Sequence, residues 1–241
     1  QAFDEGYSID ELHEQTNIDP WFLYHIQQLT FLHQIKESLT PNLLALFKKE
    51  GFSDLQIAEK FSKTDIEIKT MRTKHHISPT FKSVDTCAAE FRAKTPYCYS
   101  TYETDNEIAP LNGKKVLILG SGPTRIGQGV EFDYCCVQAV LGLKDVGYKT
   151  IMHNCNPETV STDFDISDRL YFEPLTFEHV MNVIEFEKPD GVLIQFGGQT
   201  PLNIANRLRE NNVKIFGTDS KSIDLAENRK KFGEILNKLK I

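Results

Sequence analysis

From Gly113 onward, short apolar runs rich in β-branched residues alternate with stretches of helical period, and that alternation restricts this half to a parallel sheet covered by helices. The runs are Val116 to Leu119, Thr150 to Asn154, Arg169 to Phe172, Val192 to Gln195 and Lys214 to Phe216. They predict an α/β domain over 113–241, a five-stranded parallel sheet with helices on both faces. Parallel strands need crossover connections, so all of them present their carboxyl ends at one edge, where open α/β sheets bind ligands.

The first half has a different grammar. From Ile9 to about Phe91 apolar residues recur at three and four, with breaks at Pro20, Pro41, Gly51 and Pro79; this predicts an all-α domain over 1–94. Asp19 before Pro20 matches an N-cap followed by proline at the first helical position. The helix it opens carries Trp21, Phe22, Tyr24, Ile26, Leu29, Leu32 and Ile35, too many for one narrow stripe, so it needs cover on more than one side. Between the halves, residues 95–112 lose the period and are rich in Tyr and Thr, which predicts an extended connector that packs on something.

At 241 residues and roughly 100–200 residues per domain, the chain has room for two small domains. Lys plus Arg number 27 against 34 Asp plus Glu, an acidic balance that disfavours nucleic acid or an anionic membrane as partner. Neither half reverses it: residues 1–112 carry 11 basic and 17 acidic groups, residues 113–241 carry 16 and 17. The five cysteines, Cys87, Cys98, Cys135, Cys136 and Cys155, form no CxxC pair and no metal-ligand spacing, which fits a reducing, cytoplasmic setting. No run approaches the ~20 apolar residues of a membrane span. A start at Gln1 and an end at Ile241 inside a helical pattern imply excision from a longer protein.

The chemistry-bearing motif runs from Lys114 to Gly129. A buried strand enters a turn containing Gly120, Gly122, Gly127 and Gly129, and a helix begins near Val130. Strand, glycine turn and helix N-terminus together let backbone N–H groups face an anion. The spacing is longer than GxGxxG, lacks the GK[ST] of a phosphate loop and has no acidic residue clearly closing the second strand; a turn that merely joins strand to helix fits it too. Two further loops belong at the same edge: Asn154 to Asp163 after the second strand, and Gln195 to Pro201 after the fourth.

The words GSGPTRIGQGVEFDYCC, NCNPETVSTDFDISDRLYFEP and FGGQTPLNIA resemble the stretches that open the second synthetase half of carbamoyl-phosphate synthetase large subunits. Upstream, IDPWFLYHI, VDTCAAEF and YSTYE are similar to the same subunit's oligomerisation domain, in the same order. The resemblance covers essentially the whole chain. It implies a helical oligomerisation domain (1–94), a connector (95–112) and a Rossmann-like pre-ATP-grasp subdomain (113–241). It further implies a part in an ATP-dependent ligase that makes carbamoyl phosphate from bicarbonate, ammonia drawn from glutamine, and two ATP, for pyrimidine and arginine biosynthesis. Partners implied are a small glutamine amidotransferase subunit or domain and further copies of the chain. ATP and Mg²⁺ or Mn²⁺ would be bound mainly by grasp lobes after Ile241, leaving the isolated segment inactive. The resemblance places Arg125, Gly129, Glu131 and Glu158 along a passage for carbamate. An arginine attracts such an anion, and carboxylates keep it from being trapped; an Arg125–Glu131 salt bridge that fastens the loop to its helix would use the same residues.

Plainer roles suit other residues. Cys135 and Cys136 read as helix packing, His75 and His76 as solvated, and Trp21 as a core or subunit-interface anchor. Two other classes compete. Residues 51–70 scan like a helix-turn-helix of a DNA-binding regulator, against which the acidic balance of that half argues. A nicotinamide-dependent enzyme would need the missing ribose-binding acid.

Overall fold

The computed structural model describes residues 1–88, 90–91, 94–123 and 130–240. The chain divides into two compact units, residues 1–79 with 101–103, and residues 80–100 with 104–241.

The first unit is built from α1 (Ile9–Thr16), α2 (Pro20–Gln34), α3 (Pro41–Lys49), α4 (Asp54–Lys60) and α5 (Asp65–Lys74). Reciprocal caps open α1 (Ser8 with Glu11), α4 (Ser53 with Gln56) and α5 (Thr64 with Glu67), each satisfying backbone N–H groups that a helix start leaves without partners. Asp19 caps α2 as its sequence predicts, its Oδ1 accepting from the Trp21 N–H at 2.8 Å. Leu44, Phe47, Ile57, Ala58 and Ile68 form the core. Beside it the buried Asp54 carboxylate accepts from Arg72 Nε at 2.8 Å and Nη2 at 2.6 Å and lies 3.2 Å from Lys48 Nζ. That cluster ties α3, α4 and α5 together.

Helix α2 buries only Leu23 in this unit. Trp21 is 62% exposed, and Phe22, Tyr24, Ile26 and Phe31 are exposed with it. Trp21 is therefore not a core residue of the chain, and the apolar face its sequence shows is open in the unit itself.

The second unit holds a six-stranded sheet, not a five-stranded one. Its strands are β1 (Thr80–Ser83), β2 (Tyr97–Thr101), β3 (Lys115–Leu119), β4 (Lys149–Asn154), β5 (Arg169–Phe172) and β6 (Gly191–Leu193), in the order β1-β2-β5-β4-β3-β6. The pairings β2–β5, β5–β4, β4–β3 and β3–β6 are parallel. Strands β1 and β2 come from residues whose period predicts helix and connector. Four residues after a proline are too few to show a period of two, and tertiary packing decides instead. Phe81 stacks on Phe186 at 4.4 Å and meets Tyr171 edge-on at 5.4 Å, and Tyr97 meets Phe172 at 5.1 Å. Conversely, the expected strand Lys214 to Phe216 is reduced to one parallel bridge, Val192 to Ile215.

The sheet is followed and interleaved by α6 (Glu131–Asp145), α7 (Phe177–Glu187), α8 (Gln199–Leu202), α9 (Ala205–Glu210), α10 (Ser220–Glu227) and α11 (Arg229–Leu239). Alternate side chains of a strand point to opposite faces, and the core divides accordingly. Leu117, Leu119 and Ile151 pack with Val180 and Val183 of α7 and Leu208 of α9. Ile118, Met152 and Leu170 pack with Cys136 and Val140 of α6.

Candidate functional site

Because β3, β4, β5 and β6 run parallel, the segments that follow them emerge at one edge. Gly122 makes the turn after β3 with φ of +73°, a backbone state that favours glycine. Gly120 is required for a different reason: a Cβ there would lie 2.6 Å from Asn154 Cγ and Nδ2. Asn154 is fully buried at the end of β4. Its Oδ1 accepts from the Gly122 N–H at 3.0 Å and from the Asn156 N–H at 3.4 Å. Asn156 Oδ1 in turn accepts from the Glu158 N–H at 3.0 Å.

Between these loops and α6 lies a cavity of about 580 Å³ lined by Ser121, Val130, Asp133, Tyr134, Val137, Pro157, Glu158, Thr159, Val160 and Asp163. Asp133, in the first turn of α6, accepts from the Ser161 N–H at 3.2 Å, which fixes the short 3-10 turn Val160–Thr162 against the helix. The lining combines, among the described residues, three carboxylates with an apolar wall, so passage of an anion there needs a compensating positive group. Among the described residues no three His, Cys, Asp or Glu side chains gather into a metal site.

Of the residues the sequence selects, Gly120 and Gly122 form the turn and Glu158 lines the cavity. Glu131 opens α6 as an exposed residue outside the lining. Arg125, Gly127 and Gly129 lie outside the described residues, and so does an Arg125–Glu131 pair. Asp133 and Asn154 belong to the edge as well, beyond the residues that the sequence motifs select. Asp133 was legible as a carboxylate in the first helical turn after a glycine loop, and Asn154 as the polar residue that ends a buried strand.

The cysteines are free, and burial pushes the Cys136 thiol up to about 12 and Cys98 to about 11, which leaves both without thiolate character. Burial shifts two groups near the same edge in opposite directions. His153 is fully buried and its Nε2 donates to the Pro174 carbonyl at 3.0 Å; burial lowers its pKa to about 4. Glu173, at the end of β5, accepts from the Ser100 N–H, yet burial raises its pKa to about 7.

The signs follow from linkage. His153 binds its proton more readily unfolded, so its contribution is present above its unfolded value and is lost as pH falls toward 4. Glu173 binds its proton more readily folded, so its contribution is present at low pH and is lost as pH rises toward 7. The two slopes oppose each other between about pH 4.5 and 6.5. Glu173→Gln removes one of them. Urea unfolding of that variant is expected to show stability falling by about 2 kcal/mol from pH 6.5 to 4.5 relative to the parent chain; an unchanged pH profile would contradict the buried titration of Glu173.

Comparison with known proteins adds sequence relationships to this geometry. Residues 1–76 match the carbamoyl-phosphate synthetase large chain oligomerisation domain, and residues 112–225 match the carbamoyl phosphate synthase preATP-grasp domain. The carbamoyl phosphate synthase large chain of Archaeoglobus fulgidus is 54% identical over 249 residues, covering 100% of this chain and 23% of the relative. The large chain of Pasteurella multocida is 51% identical over 243 residues, with 99% and 23% covered. The arginine-specific, chloroplastic large chain of Arabidopsis thaliana is 51% identical over 258 residues, with 100% and 22% covered. The chain thus spans about a quarter of the length of these relatives. With two family regions in order and half of all positions shared along its whole length, the chain belongs to the carbamoyl-phosphate synthase large-chain family.

Proposed function

We propose that this chain is an internal segment of an ATP-dependent ligase that forms carbamoyl phosphate from bicarbonate, ammonia and two ATP for pyrimidine and arginine biosynthesis. The observation that carries this reading is the similarity along essentially the whole chain, at about half identity, to large chains that bear that name. In this reading residues 1–94 supply subunit association, residues 95–112 connect, and residues 113–241 supply part of the wall of a passage for carbamate through Arg125, Gly129, Glu131 and Glu158. Glu158 at the edge cavity supports that role. ATP with Mg²⁺ or Mn²⁺ is held mainly by parts of the large chain beyond these residues, and ammonia comes from a glutamine amidotransferase partner. A regulator that binds DNA is disfavoured further by α5, whose Arg72 is buried against Asp54 rather than offered to phosphates.

Two experiments test the reading. The intact large chain, given ammonia, bicarbonate and MgATP, is expected to form carbamoyl phosphate, and the 241-residue chain to hydrolyse no ATP. Bicarbonate-dependent ATP hydrolysis by the 241-residue chain would overturn the assignment of roles. Association through the open face of α2 is expected to appear in sedimentation as concentration-dependent dimers or larger species that Trp21→Asp abolishes, because open apolar patches mark contact surfaces. A monomer throughout the tens-of-micromolar range argues against the role of residues 1–94.

A further inference from the structure

We propose that Asn154 is the positioning residue of the carboxyl edge, holding the glycine turn and the Glu158 loop in one fixed arrangement; this rests on the reading of that edge as wall of the carbamate passage. Its Oδ1 is shared between two loops that follow adjacent parallel strands: it accepts from Gly122 N–H at 3.0 Å, 32 positions away in sequence, and from Asn156 N–H at 3.4 Å. Asn156 Oδ1 extends the connection to the Glu158 N–H at 3.0 Å. Two side-chain amides therefore set where Glu158 stands relative to the turn.

A local turn-former does not account for this residue. An asparagine turn bonds its own backbone two residues on, which covers the Asn156 contact and leaves the Gly122 contact across 32 positions to be explained. Asn154 is fully buried, and its Nδ2 has no partner among the described residues. A buried amide with idle donors is costly, so stability alone would favour another residue there. Gly120 also gives up its Cβ to make room, since a Cβ would come within 2.6 Å of the Asn154 amide. An amide supplies the shared acceptor without charge. An aspartate would supply it too, but with a buried charge that repels an anion passing Glu158.

The test uses the intact large chain with its amidotransferase partner and the variants Asn154→Ala, Asn154→Asp and Gly120→Ala, with Glu158→Phe as reference. Asn154→Ala is expected to lower carbamoyl phosphate formation by about tenfold, the scale of losing a buried hydrogen-bond acceptor, while bicarbonate-dependent ATP hydrolysis persists. Amide exchange read by mass spectrometry is expected to speed up by about tenfold over residues 120–123 and 154–160. Asn154→Asp keeps the acceptor and is expected to restore the slow exchange, while its buried charge holds carbamoyl phosphate formation down. Should Asn154→Ala fail to fold, Gly120→Ala, which pushes the amide aside, is expected to give the same uncoupling. Full coupling in both variants, or parallel loss of every partial activity with no rescue of the slow exchange by Asn154→Asp, overturns the proposal. If Glu158→Phe stays coupled while Asn154→Ala still frees the Gly122 and Glu158 amides, the passage reading falls and the positioning of the loops stands.

Discussion

Glu187→Ala is expected to destabilise the α/β unit by about 3–5 kcal/mol, the scale of leaving buried charges without their partner. Glu187 ends α7 and is fully buried. One carboxylate oxygen accepts from Tyr171 Oη and Arg169 Nη1, both at 2.6 Å; the other accepts from the Leu111 N–H at 2.9 Å and lies 3.3 Å from Lys115 Nζ. Those donors come from the start of β3, from β5 and from the segment before β3, so one group fastens three parts of the amino edge. Arg169 Nη1 also donates to Ala109 O at 2.7 Å and Lys115 Nζ to Leu111 O at 2.5 Å.

Burial alone would raise the Glu187 pKa, but the Tyr171 hydroxyl, the Leu111 N–H and Arg169 outweigh it and hold the carboxyl below its ordinary range. Its stabilisation is therefore present above the unfolded carboxylate pKa and is lost as pH falls through the depressed folded value. Alanine strands two cations, whereas Glu187→Gln keeps an acceptor for Tyr171 and loses less. A whole domain is stable by only about 5–15 kcal/mol, so urea unfolding should separate the two variants clearly. Equal and small losses in both would show that the cluster is replaceable.

Glu187 also marks the limit of what the sequence discloses. A glutamate at the end of an amphipathic helix has the pattern of a solvated residue, and its partners lie 16, 18, 72 and 76 positions away, where no local period reaches. The same holds for Asp54, whose role depends on Arg72 folding back 18 positions. What was legible is what local physics decides: the capped helices, the β3 strand with its glycine turn, and the alternation that makes a parallel sheet. Strands β1 and β2 were hidden because each is short and owes its state to aromatic contacts across the sheet. Lys214 to Phe216 erred the other way, its β-prone residues supplying one bridge beside β6 and no full strand. At the edge, residue types announced Gly120, Gly122 and Glu158. The role of Asn154 emerges only when Gly120 is seen to approach its side chain.

The passage reading makes the sharpest functional claim for the intact enzyme. Glu158 lines the edge cavity with Asp133 and Ser121, so a bulky neutral side chain there narrows the opening, and on the proposed reading, which puts the nucleotide outside this chain, it leaves ATP binding untouched. Glu158→Phe is expected to cut carbamoyl phosphate formation at least about tenfold, a rise of about 1.4 kcal/mol in the overall barrier. On the proposed reading bicarbonate-dependent ATP hydrolysis should persist, because it reports a step that precedes transit past Glu158. ATP synthesis from ADP and added carbamoyl phosphate should also survive better than the overall reaction, since it needs only the final site. Replacing Glu131 similarly tests the second carboxylate that the family resemblance selects; it stands at the exposed start of α6. A clamp predicts a different pattern: every partial activity declines together and the melting temperature drops with them, because a loosened loop disturbs folding before it disturbs transit. Uncoupled ATP hydrolysis at an unchanged melting temperature supports a passage past Glu158, and parallel decline with a lowered melting temperature defeats it.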